Sequence, residues 1–421
     1  MSPVRPSVQV VGRALDPEHH RLRDLLTRSA QPYDFFEAGS TGADHVLAGH
    51  GAQDAELPVL IDGDEVHKAV TVEGLAELWH MSSPPSKAHY DLIIVGAGPA
   101  GLAAAVYAAS DGLSTLVVEE DVPGGQASHT SLIENFFGFV DGIGGAELAR
   151  LAGRQAEKFG AELVLLRGVE GSKRAGGRPV MHVKGGYEVT ADATIVAPGM
   201  HWRRLEVEGV NDLLGRGVYY GAGRSEAARC GGDDVVVVGA GNSAGQAVMN
   251  LADAGANVTM VVRGDRLGKT MSGYLVDRIE ANEAIQVHLN TQVTEVHADG
   301  DHLGQVTITD AGGRTQRRSA RGLFLCIGGM PRSGWAEPSG VHTNDKGFLL
   351  TGPDLLVDGQ RREEWPLDRD PLALETSVPG LFAAGDVRSG STKRVGAAVG
   401  EGAMATALVH RRLEELAAAE G

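Results

Sequence analysis

Cysteine is almost absent. Cys230 and Cys326 are the two in 421 residues, and they stand far apart in the chain. That scarcity excludes a disulfide-stapled scaffold, a multi-cysteine zinc site and any Cys-x-x-Cys redox pair. Long apolar runs are also missing: no stretch of about eighteen apolar residues offers a membrane span, and no charged-then-apolar leader opens the chain. The expected location is cytoplasmic. Positive charge is outnumbered, with 38 Lys and Arg against 55 Asp and Glu and a formal net charge of −17. A surface of that sign suits neither phosphate backbones nor anionic lipid, so nucleic acid and membrane are not expected partners. Glycine goes the other way. Its 59 residues are about twice the usual share, without a collagen period, and predict many tight turns and close backbone approaches, as around bound nucleotides.

Ser82-Ser83-Pro84-Pro85-Ser86 is small, polar and proline-rich, and reads as a linker. It separates an amino-terminal unit, 1–81, from the rest, with 82–89 as the connection. In the first unit Val8–Val11, Tyr33–Phe36 and Leu57–Ile61 read as strands. Leu22, Leu25 and Leu26 fall at helical spacing, Asp62-Gly63 reads as a turn, and Val72–Trp79 reads as a closing helix. Beyond the linker the chain repeats itself. Asp91–Val95 runs into Gly96-Ala97-Gly98-Pro99-Ala100-Gly101 and an alanine-rich helix, and Val235–Val238 into Gly239-Ala240-Gly241-Asn242-Ser243-Ala244 and a second helix. Continuous Val/Ile runs fit strands covered on both faces of a parallel sheet, so a nucleotide-binding unit is duplicated. Tyr187–Thr190 and Ala193–Val196 read as hairpin and return strands, a pattern repeated by Val293–His297, Val306–Asp310 and Leu323–Ile327. A last helix is read at Val409–Leu416.

In the first turn Gly96 makes the tight bend, Gly98 lets backbone approach a pyrophosphate, and Gly101 lets helix and strand pack closely. The helix then offers its N–H groups and positive dipole end to phosphate. The strand Ser114–Val118 ends at Glu119, about twenty residues on, where a carboxylate accepts from ribose hydroxyls. In the second turn Gly239 and Gly241 are kept and Ala244 replaces the third glycine, which the pattern permits. There the following strand, Val258–Val262, ends at Arg263 instead of an acid, with Arg266 and Lys269 close behind. A guanidinium pairs with a 2′-phosphate that a carboxylate would repel, so NADPH is preferred over NADH. Two dinucleotide sites in one chain imply an electron relay, one site for a fixed redox cofactor and one for an exchangeable nicotinamide.

With Pro123-Gly124-Gly125-Gln126, Ile133-Glu134-Asn135-Phe136 and Phe382-Ala383-Ala384-Gly385-Asp386-Val387, in this order along the chain from about Tyr90 to its end, these motifs resemble the low-molecular-weight thioredoxin reductases. The resemblance implies an α/β fold of two Rossmann-like domains, the first binding FAD and the second NADPH. It divides the chain into 90–203 and 325–421 for FAD and 204–324 for NADPH. It adds Pro99, Ala100, Gly125, Gln126, Asn135, Gly385, Asp386, Lys393, Arg394 and Val395 to the FAD contacts, and Asn242, Ser243 and Lys269 to those of NADPH. Asp386 reads alternatively as a helix cap. The resemblance further implies a helix through Gly400-Glu401-Gly402 beside the flavin ring, and a homodimer.

One departure dominates. Where that family carries its redox Cys-x-x-Cys, this chain has Gly221-Ala222-Gly223-Arg224, so Gly221 and Arg224 occupy the cysteine positions and no catalytic residue is assigned. Thiol–disulfide exchange needs an attacking thiolate and a resolving partner; Cys230 cannot substitute alone, and Cys326 reads as a buried inert thiol. A usual His-Arg-Arg is here Val262-Arg263-Gly264, which keeps one cation. The amino-terminal unit resembles a degenerate thioredoxin/glutaredoxin-type domain, with Pro58 at its cis-proline strand and Asp16-Pro17-Glu18-His19-His20 where the redox motif belongs. His19 and His20 read as exposed polar residues opening a helix, with a metal or proton site as the alternative, and no metal is expected. The insertion 351–373, with Trp365–Asp370, reads either as a gate or partner site or as surface packing. The function expected is an NADPH-oxidising flavoprotein that passes electrons directly to an unidentified acceptor: an electron carrier, a quinone, oxygen or a dithiol protein. The alternative is a redox-sensing or scaffolding flavoprotein with little turnover.

Overall fold

Val8–Gly12 (β1) is buried along most of its length and becomes an inner strand. Tyr33–Glu37 (β2) pairs parallel to it, Val59–Asp62 (β3) antiparallel, and Glu65–His67 (β4) closes the edge in the order β2-β1-β3-β4. Pro17–Arg28 (α1), Thr41–Gly49 (α2) and Val72–Leu78 (α3) start at Asp16, Ser40 and Thr71, whose side chains accept first-turn N–H groups. Leu22, Leu25 and Leu26 lie on the buried face of α1, and the Leu57–Pro58 peptide is cis. These features come from a computed structural model that describes residues 7–420 except 131, 176–177, 222–226, 228–229 and 270.

The proline-rich connection is held in place. Ser86 donates to Glu162 from its backbone N (2.6 Å) and its hydroxyl (2.5 Å), and Arg167 donates to the Ser82 carbonyl at 3.2 Å. Next come His89–Val95 (β5), Pro99–Ser110 (α4), Thr115–Val118 (β6), Gly145–Lys158 (α5) and Glu162–Val164 (β7). Val169–Ala175 (β8), Arg178–Val183 (β9) and Tyr187–Val196 (β10) complete a sheet ordered β7-β6-β5-β10-β9-β8. The two segments read as hairpin and return strand are thus one continuous strand, β10. Asp192 suggests a break, but its carboxylate is paired with Arg178 of β9 (3.0 Å) and His89 of β5 (3.3 Å), which lets the strand run through.

The chain then crosses as Met200–Trp202 (β11) into a second sheet built from Val218–Tyr220 (β12), Asp234–Val238 (β13), Asn257–Val261 (β14), Ile285–His288 (β15) and, later, Gly322–Leu325. Asn242–Asp253 (α6) follows the second glycine turn, and Gly273–Glu280 (α7) follows β14. Thr291–Asp299 (β16), His302–Asp310 (β17) and Thr315–Ser319 (β18) form an antiparallel meander. Gly322–Leu325 (β19) sits between β12 and β13 in the parallel order β12-β19-β13-β14-β15. Gly329–Pro331 (β20) runs back against β11, and Leu381–Ala383 (β21) rejoins the first sheet beside β10.

The final helix, Val395–Glu420 (α8), is one element that takes in both the helix implied through Gly400-Glu401-Gly402 and the stretch read at Val409–Leu416. It crosses α4 closely: a Cβ on Gly402 would lie 2.1 Å from the Ala100 carbonyl oxygen, and Thr406 donates to the Ala104 carbonyl. Insertion 351–373 packs on the surface against this helix. Arg369 bridges Glu375, fully buried, and Glu415, while the Trp365 indole donates to the Arg369 carbonyl.

Candidate functional site

The amino-terminal ends of α4, α6 and α8 converge on one cavity of about 810 Å3, lined among others by Gly98, Pro99, Ala100, Asn242, Ser243, Lys393, Arg394 and Val395. Neither α4 nor α6 has a side-chain cap, which leaves first-turn N–H groups for an anionic ligand. The glycines divide their labour. A Cβ on Gly101 would lie 1.8 Å from the Gly96 carbonyl oxygen, one on Gly96 2.4 Å from that of Ala197, and one on Gly239 2.3 Å from that of Cys326, so these positions weld turn to neighbouring strand. At Gly98 and Gly241 a Cβ would meet nothing within 4 Å. That open face is the cradle that a pyrophosphate needs.

Glu119 ends β6, is buried, and lines the cavity. Its two oxygens accept from the Ala97 N–H (2.6 Å) and the Asp121 N–H (3.0 Å), so it fixes the first glycine turn; burial pushes its carboxyl up from the ordinary range. The Gly124-Gly125 pair takes positive φ values of 108° and 52°, and Gly124 donates to the Ala97 carbonyl, docking the second turn on the first. Gln126 donates to the Met200 carbonyl at 2.9 Å, and Asn135 reaches the same cavity. Asp386 sits inside the short turn Gly385–Val387, not at its cap. The Gly385 N–H donates to Glu401 at 2.7 Å, and Glu401 is paired with Arg388. Lys393 donates to the Asp386 carbonyl oxygen (2.5 Å), and burial raises the Asp386 carboxyl against the opposing pull of that ammonium. A carboxylate, an ammonium and three helix ends around one cavity suit the hydroxyls and phosphates of a flavin dinucleotide.

Not every expected residue comes to the cavity. Ala244 is buried against the second turn. Arg263 stands exposed at the end of β14, and Lys269 is exposed and paired with Asp265 at 2.9 Å; neither lines the cavity. Arg224 lies outside the described residues. Gly221 lies within them, buried at φ +80°, and a Cβ there would stand 3.8 Å from His129 and 3.9 Å from Trp202. Both cysteines are buried, and desolvation pushes the Cys326 thiol up to about 12. His19, read as exposed, is buried: its Nδ1 accepts from the Arg13 N–H at 2.8 Å and so closes the turn before α1.

The sequence reading missed the cavity wall that the amino-terminal domain supplies. Pro17, His20, Asp24 and Arg28 of α1 line it opposite His129, Trp202 and Tyr219. No local signal marks them, because their meeting is purely tertiary.

Residues 90–402 match the family model described as pyridine nucleotide-disulphide oxidoreductase. The chain is 36% identical to thioredoxin reductase of Bacillus subtilis over 329 residues, 78% of this chain and 96% of the relative. It is 32% identical to that of Listeria monocytogenes, with 78% and 95% covered. Among solved structures, thioredoxin reductase of T. acidophilum superposes with a TM-score of 0.68 at 28% identity, over 78% of this chain and all of that one. That of Lactococcus lactis gives 0.68 at 28%, over 77% and 99%. The chain belongs to the pyridine nucleotide-disulphide oxidoreductase family, as a thioredoxin-reductase-like flavoprotein oxidoreductase of a group that uses FAD and NADPH.

Proposed function

We propose that this flavoprotein takes hydride from NADPH and delivers electrons from its flavin directly to an external acceptor, with no dithiol of its own in between. The observation that carries this reading is Gly221: a buried, left-handed glycine where the resemblance expects the first redox cysteine, in a chain whose two thiols are buried elsewhere. We read residues 90–203 and 325–421 as the FAD domain, 204–324 as the NADPH domain, and 1–81 as a thioredoxin-like domain without cysteines. The sheet order β2-β1-β3-β4 and the cis peptide before β3 support that last assignment.

FAD, when bound, supplies the hydride-accepting ring and the two-electron store. The residues supply placement. The N–H groups opening α4 would hold phosphate, Glu119 stiffens the turn that presents them, and the Glu401-held turn fixes Asp386, whose carboxylate would accept from the hydroxyls of the ribityl chain. The dipole of α8, starting at Val395, favours negative charge at its end of the cavity. The N-terminal turn of α6 faces the same space through Asn242, Ser243 and Gln246, so a nucleotide held at that turn would open onto the cavity it must serve. Arg263, exposed at the end of β14, is positioned to pair with a 2′-phosphate that approaches from solvent.

Anaerobic titration with NADPH and NADH, following loss of flavin colour, tests the donor. NADPH is expected to bleach one flavin per equivalent, and Arg263→Ala to weaken NADPH about tenfold relative to NADH, the value of one charge-assisted pair. Bleaching by NADH alone refutes the donor assignment. Readdition of an oxidised electron carrier such as ferredoxin, quinone, oxygen or oxidised dithiol protein identifies the acceptor, and failure of all of them to restore colour catalytically selects a sensor.

A further inference from the structure

The resemblance gives the amino-terminal domain no cysteines to carry electrons, yet its helix α1 is built into the cofactor cavity. Arg28, at the end of α1, is 9% exposed and reaches out of its own domain. Its guanidinium is 2.8 Å from Asp121 and 3.3 Å from Asp24, and it donates to the Ser128 hydroxyl at 3.1 Å. Both outside partners belong to the flavin cradle. The Asp121 N–H donates to Glu119, and Ser128 donates to the Gly125 carbonyl at 2.7 Å. One buried cation therefore joins the carboxylate turn and the Gly-Gly-Gln turn. At the other end of α1 the domain approaches the nucleotide-binding unit. A Cβ on Gly215 would lie 3.3 Å from Pro17 Cα, and the His20 ring packs 5.1 Å from that of Tyr219, which stacks in turn on Phe324. The linker is pinned through Ser86 and Ser82, so the covalent connection does not let the domain swing freely.

We propose that the amino-terminal domain is a resident wall of the cofactor cavity: Arg28 locks it to the flavin-side turns, and the start of α1 covers the approach to Gly221, so that the acceptor is a small molecule and not the disulfide of a folded protein. Only the statement about the acceptor rests on the function proposed above; the wall and the Arg28 lock stand on their own contacts. Asp121 is 44% exposed, so what its turn and that of Ser128 lose without Arg28 is the shared tether, and that loss falls on the two turns that hold FAD. Arg28 is thus a positioning residue for the cofactor. For a small acceptor such as 1,4-benzoquinone the reaction balances as NADPH, one proton and quinone giving NADP+ and hydroquinone: the hydride supplies two electrons and one hydrogen, and the single proton comes from solvent.

A site-specific protease sequence inserted between Ser83 and Pro84 allows the linker of the oxidised holoprotein to be cut. The two pieces are expected to co-elute with FAD on gel filtration; pieces that separate overturn the wall. Uncut Arg28→Met is expected to bind FAD about tenfold more weakly, read by titration of apoprotein with FAD, with Arg28→Lys recovering part of the loss. Should Arg28→Met not fold, Asp121→Asn gives the same readout. Arg369→Met, which breaks an ion pair remote from both turns, is the control: it lowers the melting temperature without changing FAD affinity. Unchanged affinity in Arg28→Met overturns the lock. Wild-type turnover of oxidised thioredoxin as fast as benzoquinone overturns the acceptor limit. None of the elution and affinity readouts involves NADPH, so a failure of hydride transfer leaves them untouched.

Discussion

At the scale of single residues, chemistry here is decided as much by what burial forbids as by what it presents. Cys326 lies just past β19 and lines the cavity, within reach of whatever the cavity holds. Desolvation holds its thiol at about 12, so at pH 8 only about one molecule in ten thousand carries the reactive thiolate. Native protein is expected to resist iodoacetamide at Cys326 at pH 8 and to label fully once unfolded in guanidinium, as read by intact-mass spectrometry; rapid native labelling would contradict the burial. Glu119 shows the opposite use of burial. Its raised carboxyl is tolerated because two backbone N–H groups answer both oxygens, and that satisfaction is what rigidifies the turn. His19 and Arg28 were beyond sequence reading because their polarity suggests solvent. Each is buried only because a partner from elsewhere, the Arg13 N–H or Asp121, completes its hydrogen bonding.

At the scale of elements, legibility followed locality. The two glycine turns, the strands that feed them and the helices that leave them were readable because each needs specific residues within about twenty positions. Strand β10 was misread at Asp192 because the residues that satisfy its carboxylate, Arg178 and His89, lie on other strands. Helix α8 was legible in pieces, through Gly400-Glu401-Gly402 and at Val409–Leu416; what joins them is tertiary, since Gly402 is required by the close crossing over Ala100. The insertion 351–373 gave no sequence signal for either role; the structure shows a packing device. Arg369 lies between Glu375, which is fully buried, and Glu415 of α8, with bonds of 2.6 and 2.5 Å. Arg369→Met is therefore expected to destabilise the fold by about 3 kcal/mol, since it strands a buried carboxylate. Part of Glu375 stays satisfied by the Leu372 and Gly380 N–H groups, which keeps the loss from being larger. Chemical denaturation measures it, and a change below about 0.5 kcal/mol would show that the clamp is ornamental.

At the scale of the whole molecule, both glycine-turn helices open on one cavity, and the relative placement of the two nucleotide units is what hydride transfer depends on. A link between them crosses from Arg278 of α7 to Glu134, with N–O distances of 3.2 and 3.3 Å. Glu134 directly precedes Asn135, which lines the cavity, so the link bears on the site itself. Both partners are more than one-third solvent-exposed, and a pair of that kind contributes at most about 1 kcal/mol. Replacing Arg278 by Gln should therefore slow anaerobic flavin bleaching by NADPH about two- to fivefold at low salt, and no more. Ionic strength separates this role from a packing role. At about 1 M salt the screening length falls to about 3 Å, and the wild type should then lose its advantage and match the variant. Stopped-flow absorbance at the flavin band, at low and high NaCl, reads both numbers. A defect beyond tenfold, or one that persists in high salt, would mean that Arg278 holds the two units together by packing and not by charge.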